Sequence, residues 1–535
     1  MKRLVFLFLI FSSFGLPCFL KADEKTDSLI PATILQPVPP EYADDQRSFQ
    51  GIPSMTAAPN GRLWATWYTG GVTEGDENIV LTVTSSDAGK TWSKPIFAVD
   101  IPGPVRAYDP SMWTDPNGNV WLFWAQSYHW WDGRSGVWCM TTNSGNREDA
   151  EWSKPKRICD GIMMCKPIAD SKDRWILPVA VWNIEPDHPN RTLQPGAHFV
   201  VSEDKGITWK SFGCSTIPRK DALFDEHNIV EKKDGSFWLL HRTKYGIAET
   251  VSIDGGKTWS EAKPSVYPHT SSRFFVRRLK SGNLLFVKHG KMEQLTGRSH
   301  LQAFISDDDG KTWKGGLMLD ERNGVSYPDG DQTNDGIIFV IYDFDRTGAK
   351  EILMARFTEE DVLAGKIVSP NSVLRLLVNK ATAVHPQFQT PAKILEFEPA
   401  SNSDGKPIRF GNSPTLELKK AEPDVFKKDA KLFTNRDYRL LNYPKELEGK
   451  KFVRSEIQGA EAVCTSPGML YVFTPLPNRN KDNVTETLLK SGFEKVAVPE
   501  MLLFGNYVGN IATIYQKEVK EGETIKFGIW GVIVY

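Results

Sequence analysis

Ser252-Ile253-Asp254-Gly255-Gly256-Lys257-Thr258-Trp259 decides the fold, because its pattern recurs at three other places in the chain. The copies are Ser85-Ser86-Asp87-Ala88-Gly89-Lys90-Thr91-Trp92, Ser202-Glu203-Asp204-Lys205-Gly206-Ile207-Thr208-Trp209 and Ser306-Asp307-Asp308-Asp309-Gly310-Lys311-Thr312-Trp313. All four read Ser-x-Asp-x-Gly-x-Thr-Trp. The Asp bonds the backbone of its own turn, the Gly takes positive φ, and Thr-Trp restarts a strand. The Trp is expected to fold back over its turn as a small local core. These octads read as staples for hairpins, not as chemistry.

Their spacing sets the architecture. The starts lie 252 − 202 = 50 and 306 − 252 = 54 residues apart, while 202 − 85 = 117 leaves room for one more unit. A degenerate copy stands in that gap, Thr141-Thr142-Asn143-Ser144-Gly145 followed by Trp152-Ser153-Lys154-Pro155. Repeats of roughly 50 residues holding several strands each are propeller blades. Strand-like runs fall between the turns at Val120–Trp124, Trp175–Val181, Phe237–His241, Leu284–Lys288 and Ile337–Tyr342. Five units and a last one over 320–375 predict an all-β, six-bladed β-propeller over residues 46–395. Pro399 to Pro414 reads as a linker, rich in Ser, Asn, Gly and Pro. Beyond it, Met469–Phe473, Ile511–Tyr515 and Thr524–Val534 predict a C-terminal β-sandwich-like accessory domain over 400–535.

Composition narrows the function class. The chain of 535 residues carries 65 basic and 66 acidic side chains, so it lacks the basic surplus that nucleic-acid binding needs. Lys2-Arg3, the apolar run Leu4–Phe11 and the small residue Ala22 describe a signal peptide over 1–22. The apolar stretch is short for a membrane span and is broken by Ser12, Ser13, Gly15 and Pro17. A secreted or periplasmic protein with no membrane span is expected. Cys139, Cys159, Cys165, Cys214 and Cys464 make neither a disulfide framework nor a zinc site; Cys159 and Cys165 either pair or stay as thiols.

The four octads on a six-bladed plan resemble the Asp-boxes of the sialidase (neuraminidase) superfamily. That resemblance implies a tyrosine nucleophile activated by a glutamate, an aspartate acid/base and three arginines that hold the substrate carboxylate. A tyrosine suits a substrate whose anomeric carbon bears a carboxylate, which would repel a carboxylate nucleophile. Arginine suits the clamp because its planar fork binds carboxylates bidentately. Asp225-Glu226-His227-Asn228-Ile229-Val230-Glu231, the Asp234-Gly235 turn and the strand ending His241-Arg242 are similar to the family's stretch from activating Glu to second Arg. The match gives Glu226 and Arg242 those roles. Arg298 stands 306 − 298 = 8 residues before the fourth octad, as the third arginine does. Tyr327, before Asp335-Gly336 and a strand ending Tyr342-Asp343, matches the nucleophile. The acid/base falls in Tyr68–Asn78, where Asp76 matches by type and Glu74 and Glu77 stand close by.

One position departs from the pattern. The family's first arginine opens an Arg-Ile-Pro motif, and here the match reads Gly51-Ile52-Pro53. Arg106 or Arg273 is available to fill the gap, or the substrate is an acidic sugar that needs two arginines. Trp130-Trp131 and His129 offer an aromatic sugar platform, or core packing. The resemblance implies a retaining exo-glycosidase acting on terminal acidic sugars of a glycan or oligosaccharide, with no metal or organic cofactor. The alternatives are a non-catalytic glycan-binding propeller, and a hydrolase or lyase of uronic-acid polysaccharides.

Overall fold

The innermost strands determine where every other part sits. In the computed structural model six antiparallel sheets begin with Gln50–Ala57, Val105–Thr114, Ile168–Ala169, Ala222–Glu231, Phe275–Arg278 and Val325–Gln332. Each runs outward through four strands in sequence order; the first gains a fifth from Thr33–Leu35, which pairs with Phe97–Asp100. Gln50–Ala57 packs against the inner strands of both the second and the sixth sheets, so the ring closes. The sheets are the six blades of a propeller. The structure describes residues 28–383, except 102, 104 and 185, and 405–535, except 420, 435–437, 457–459, 476–483, 498–500, 504–510 and 528–530. The expected signal peptide at 1–22 and part of the expected linker lie outside the described residues.

The octads stand where the third strand of a blade turns into the fourth. In the first, Asp87 accepts the Thr91 amide at 2.9 Å and the Thr91 hydroxyl at 2.7 Å, while Ser85 Oγ accepts the Gly89 amide at 3.0 Å. The other three repeat these bonds. The octads also join blades. A Cβ on Gly206 would lie 2.6 Å from Trp121 of the preceding blade, on Gly256 2.7 Å from Phe199, and on Gly310 2.7 Å from Trp238. Gly89 faces Met354 of the sixth blade in the same way, which seals the ring between last and first. Glycine is needed twice over, for positive φ and for this close approach. The Trp is no private cap either: Trp209 meets Trp121 of the blade before, and Trp259 meets Phe199.

Buried charge ties the hub. Lys166 Nζ pairs with Asp329 at 2.8 Å and donates to the Met55 and Met112 carbonyls. Arg273 donates to the carbonyls of Met164, Pro53 and Tyr327 at 2.7–2.9 Å. Inner-strand carbonyls have few backbone donors at the axis, so side-chain donors complete the bonding that sheet pairing leaves open.

The chain forms two compact units, Met1–Thr382 and Ala383–Tyr535. The second unit holds a three-stranded sheet (Thr415–Lys419, Ala460–Ser466, Thr524–Phe527) and a larger seven-stranded one. Cys464 and Ile525 of the small sheet share a core with Val453, Leu470, Val472, Tyr515 and Ile533 of the large one, which makes a β-sandwich. All five described cysteines are free, so Cys159 and Cys165 do not pair. Burial pushes both thiols upward, which suits inert packing residues. No helix among the described residues is long and apolar enough to cross a membrane.

Candidate functional site

Four inner strands share one irregularity. Their ladders shift register at Gly51/Ser54, Tyr108/Ser111, Ala222/His227 and Ser326/Asp329. At those bulges Ile52, Asp109, Asp225 and Tyr327 take positive φ, between 43° and 56°. A bulge in this conformation re-aims side chains, and non-glycine residues hold it only where the surrounding packing enforces it. The same device recurs on four blades and gathers Tyr327, Glu226 and Asp109 in one place.

Tyr327 is the centre. Its hydroxyl donates to Glu226 Oε1 at 2.9 Å, and Arg242 Nη1 donates to that oxygen at 2.5 Å and to the Tyr327 oxygen at 2.6 Å. All three side chains are buried. Four guanidinium groups surround the ring, with Cζ at 4.3 Å for Arg346, 5.3 Å for Arg273 and Arg298, and 5.9 Å for Arg242. Burial pushes the Tyr327 phenol up to about 12, with Glu226 adding to the rise, while Arg242, Arg298 and Arg346 oppose it. The hydroxyl therefore keeps its proton at neutral pH, and the carboxylate that accepts its hydrogen bond is placed to take it. The second oxygen of Glu226 is buried without a protein partner.

The loop between the first blade's second and third strands carries the acidic candidates. Asn78 shapes it, donating to the Gly70 and Thr73 carbonyls and accepting the Gly75 amide. Glu74 pairs with Arg346 Nη1 at 2.8 Å. Burial raises the Glu74 carboxyl, but Arg346, Arg106, Arg298 and a hydrogen bond from Tyr68 outweigh it and hold the group below its ordinary range. A carboxylate kept ionised in this way is a poor general acid. Asp76 is exposed on the same loop and bonds His129 Nδ1 at 2.8 Å; Glu77 is exposed as well.

Arg106 lies buried with its Cζ 3.8 Å over the Tyr108 ring and 5.7 Å from Tyr68. Its Nε and Nη1 find no partner in the protein. Arg273 is spent on the backbone carbonyls of the hub. The space beside Gly51 belongs to neither: the three atoms nearest a Cβ at that position are Cδ, Cγ and Nε of Arg346, at 2.7–2.8 Å. Asp109 is the other residue that pattern reading passed over. Burial, with Glu74 and Glu226 adding to it, pushes its carboxyl up to about 7 against the pull of Arg106 and Arg273. It stands three residues after Arg106, but only the bulge shows that it faces the cluster.

An aromatic group borders Arg242. Its Cζ lies 4.9 Å from the Phe224 ring, and Phe224 packs on Trp182 and Trp130 with centroids at 4.8 and 5.2 Å. Trp130 is partly exposed, whereas Trp131 is buried beneath it against Trp182. Of the expected platform, Trp130 keeps an open face and Trp131 belongs to the core.

The chain is similar to several solved structures. The chain is similar to a protein of unknown function from Dyadobacter fermentans, at 16% identity over 61% of this chain and 97% of that one, with a TM-score of 0.48. It is similar to a Hadza microbial sialidase at 18% identity over 56% of this chain and 64% of that one, with a TM-score of 0.46. It is similar to the intramolecular trans-sialidase from Ruminococcus gnavus at 16% identity over 62% and 98%, with a TM-score of 0.48. No curated protein matches the sequence. The model of the BNR repeat-like domain matches residues 61–340, more than half of the chain and four of its Ser-x-Asp-x-Gly-x-Thr-Trp turns. The chain belongs to the BNR repeat-like, Asp-box propeller family.

Proposed function

We propose that this protein is an exported, retaining exo-glycosidase of sialidase type that removes terminal acidic sugars from glycans. One observation carries the reading: Arg242 Nη1 bridges the Tyr327 oxygen and Glu226 Oε1 inside a ring of arginines. Tyrosine, base and cation are arranged so that a phenolate is stabilised as it forms. The surrounding positive charge suits a substrate that brings its own carboxylate.

In the first step the Tyr327 oxygen attacks the anomeric carbon and its proton passes to Glu226. The glycosidic C–O bond breaks, and the leaving oxygen takes a proton from Asp76. In the second step water attacks the same carbon, giving its proton to the Asp76 carboxylate. The bond to Tyr327 breaks, and the phenolate recovers its proton from Glu226. Two displacements at one carbon retain configuration. Asp76 is preferred to Glu74 because Arg346 engages the Glu74 carboxylate. His129 would orient Asp76.

The test is release of free N-acetylneuraminic acid from a sialylated oligosaccharide by the purified mature protein, beside Tyr327→Phe. Release that the variant loses supports the reading. Equal release by both would remove Tyr327 from the mechanism. No release by either would reject sialic acid as the substrate and turn attention to uronic-acid glycans.

A further inference from the structure

Gly51 and Arg346 stand on different blades, yet they occupy one another's space. Gly51 lies in the first blade's inner strand, and Arg346 follows the sixth blade's second strand, Ile338–Phe344. The Arg346 stem passes so near Gly51 that any side chain there would collide with it. Its guanidinium then lies over Tyr327, closer than any of the other three. The plane is fixed from two sides, by Asp343 on Nε at 2.9 Å and Glu74 on Nη1 at 2.8 Å. Ser326 Oγ accepts from Nη2 at 3.3 Å. A guanidinium has five N–H donors, and these contacts engage three, leaving one on each terminal nitrogen. A guanidinium with a donor left on each terminal nitrogen can still engage a carboxylate.

We infer that Arg346 is an anion-binding, specificity-determining arm of the site, presented from the sixth blade through the space that Gly51 leaves open. The inference rests on the proposed acidic-sugar substrate and names the residue that recognises its acid group. Asp343 backs both positions, since its Oδ2 also accepts the amide of Ile52 at 2.8 Å. An arginine at position 51 would therefore meet the same supporting carboxylate, provided Arg346 were absent. The two arrangements exclude each other: one arginine fits, from either strand.

The test is calorimetric titration of N-acetylneuraminic acid and of D-glucuronic acid into the full-length mature protein and four variants. These are Arg346→Ala, Arg346→Lys, Gly51→Arg and the double variant Gly51→Arg/Arg346→Ala, each checked for a cooperative melt. Arg346→Ala should weaken binding of the acid that the wild type prefers by about 10- to 100-fold, the worth of a charge-assisted pair. Arg346→Lys should fall between them, keeping the charge and losing the fork. Gly51→Arg alone should weaken binding through the collision, and the double variant should bind more tightly than either single one. A purely structural Arg346 would give no such rescue. Wild-type binding unchanged in Arg346→Ala, or a double variant no better than Arg346→Ala, would overturn the inference while leaving the acidic-sugar reading in place. Failure of the wild type to bind either acid would overturn both.

Discussion

Asp204 in an octad and Asp109 beside Tyr327 are the same side chain in opposite circumstances. Asp204 is at the rim in water, where the Thr208 hydroxyl and amide hold its carboxyl down to about 2. Asp109 is buried at the hub, has no such donors, and is pushed up to about 7. The rim aspartates stay ionised at any ordinary pH and fix a turn. At the hub the carboxyls differ: Asp109 lies near working pH, where a proton can move, while Glu74 is held ionised. Repetition marks the first group, because each blade needs its staple. Convergence of unlike residues from several blades marks the second.

That contrast can be broken or sharpened by substitution, first in activity and then in stability. Tyr327→Phe should lower turnover on the order of 10³-fold or more, since it removes the oxygen that attacks the anomeric carbon. The phenol makes no contact on which folding depends beyond Arg242 and Glu226, so the melting temperature should hardly change. Asp76→Ala should cost about 10²-fold on a natural oligosaccharide. With a nitrophenyl glycoside, whose leaving group needs no protonation, the loss should be much smaller. Equal losses on the two substrates would assign the acid elsewhere, with Asp109 next in line.

Stability tests follow. The folded-state pKa of Asp109 lies above the unfolded value, so the folded chain holds this proton between about pH 4 and pH 7 while the unfolded chain releases it. Stability from this group is therefore lost as pH rises through that window and is constant above it. Asp109→Asn cannot ionise, so its melting temperature relative to wild type should climb from pH 5 to pH 8, by roughly 3 kcal/mol of stability at most. A difference independent of pH would contradict the raised pKa. Gly206→Ala should destabilise by about 1–3 kcal/mol, from strain at positive φ and overlap with Trp121. Turnover per folded molecule should not change, because that contact is at the rim.

The fold was legible because its punctuation repeats. Four octads and a degenerate fifth fix the blade period, and the hairpin turns fall where the spacing puts them. The sequence also carried Glu226, Arg242, Arg298 and Tyr327 as separate segments, and the structure brings them round one ring. Two things escaped. The octad tryptophan reads as a cap on its own turn, whereas Trp209 and Trp259 reach the neighbouring blade; a linear pattern does not reveal which blade lies alongside. Arg346 escaped for the same reason. It sits in Asp343-Phe344-Asp345-Arg346 with no motif around it, 346 − 51 = 295 residues from the glycine whose space it fills. Ring closure alone makes those two residues neighbours.

The central claim is that Tyr327 attacks the sugar, and covalent trapping tests it most directly. The mature protein would be incubated with a 2,3-difluorinated sialic acid, in which the fluorine at the neighbouring carbon slows the second displacement, and then digested for mass spectrometry. The account predicts one fluorosugar on the peptide that contains Tyr327, and none in Tyr327→Phe. An adduct on a carboxylate, or hydrolysis of sialosides with no adduct at Tyr327, would contradict it.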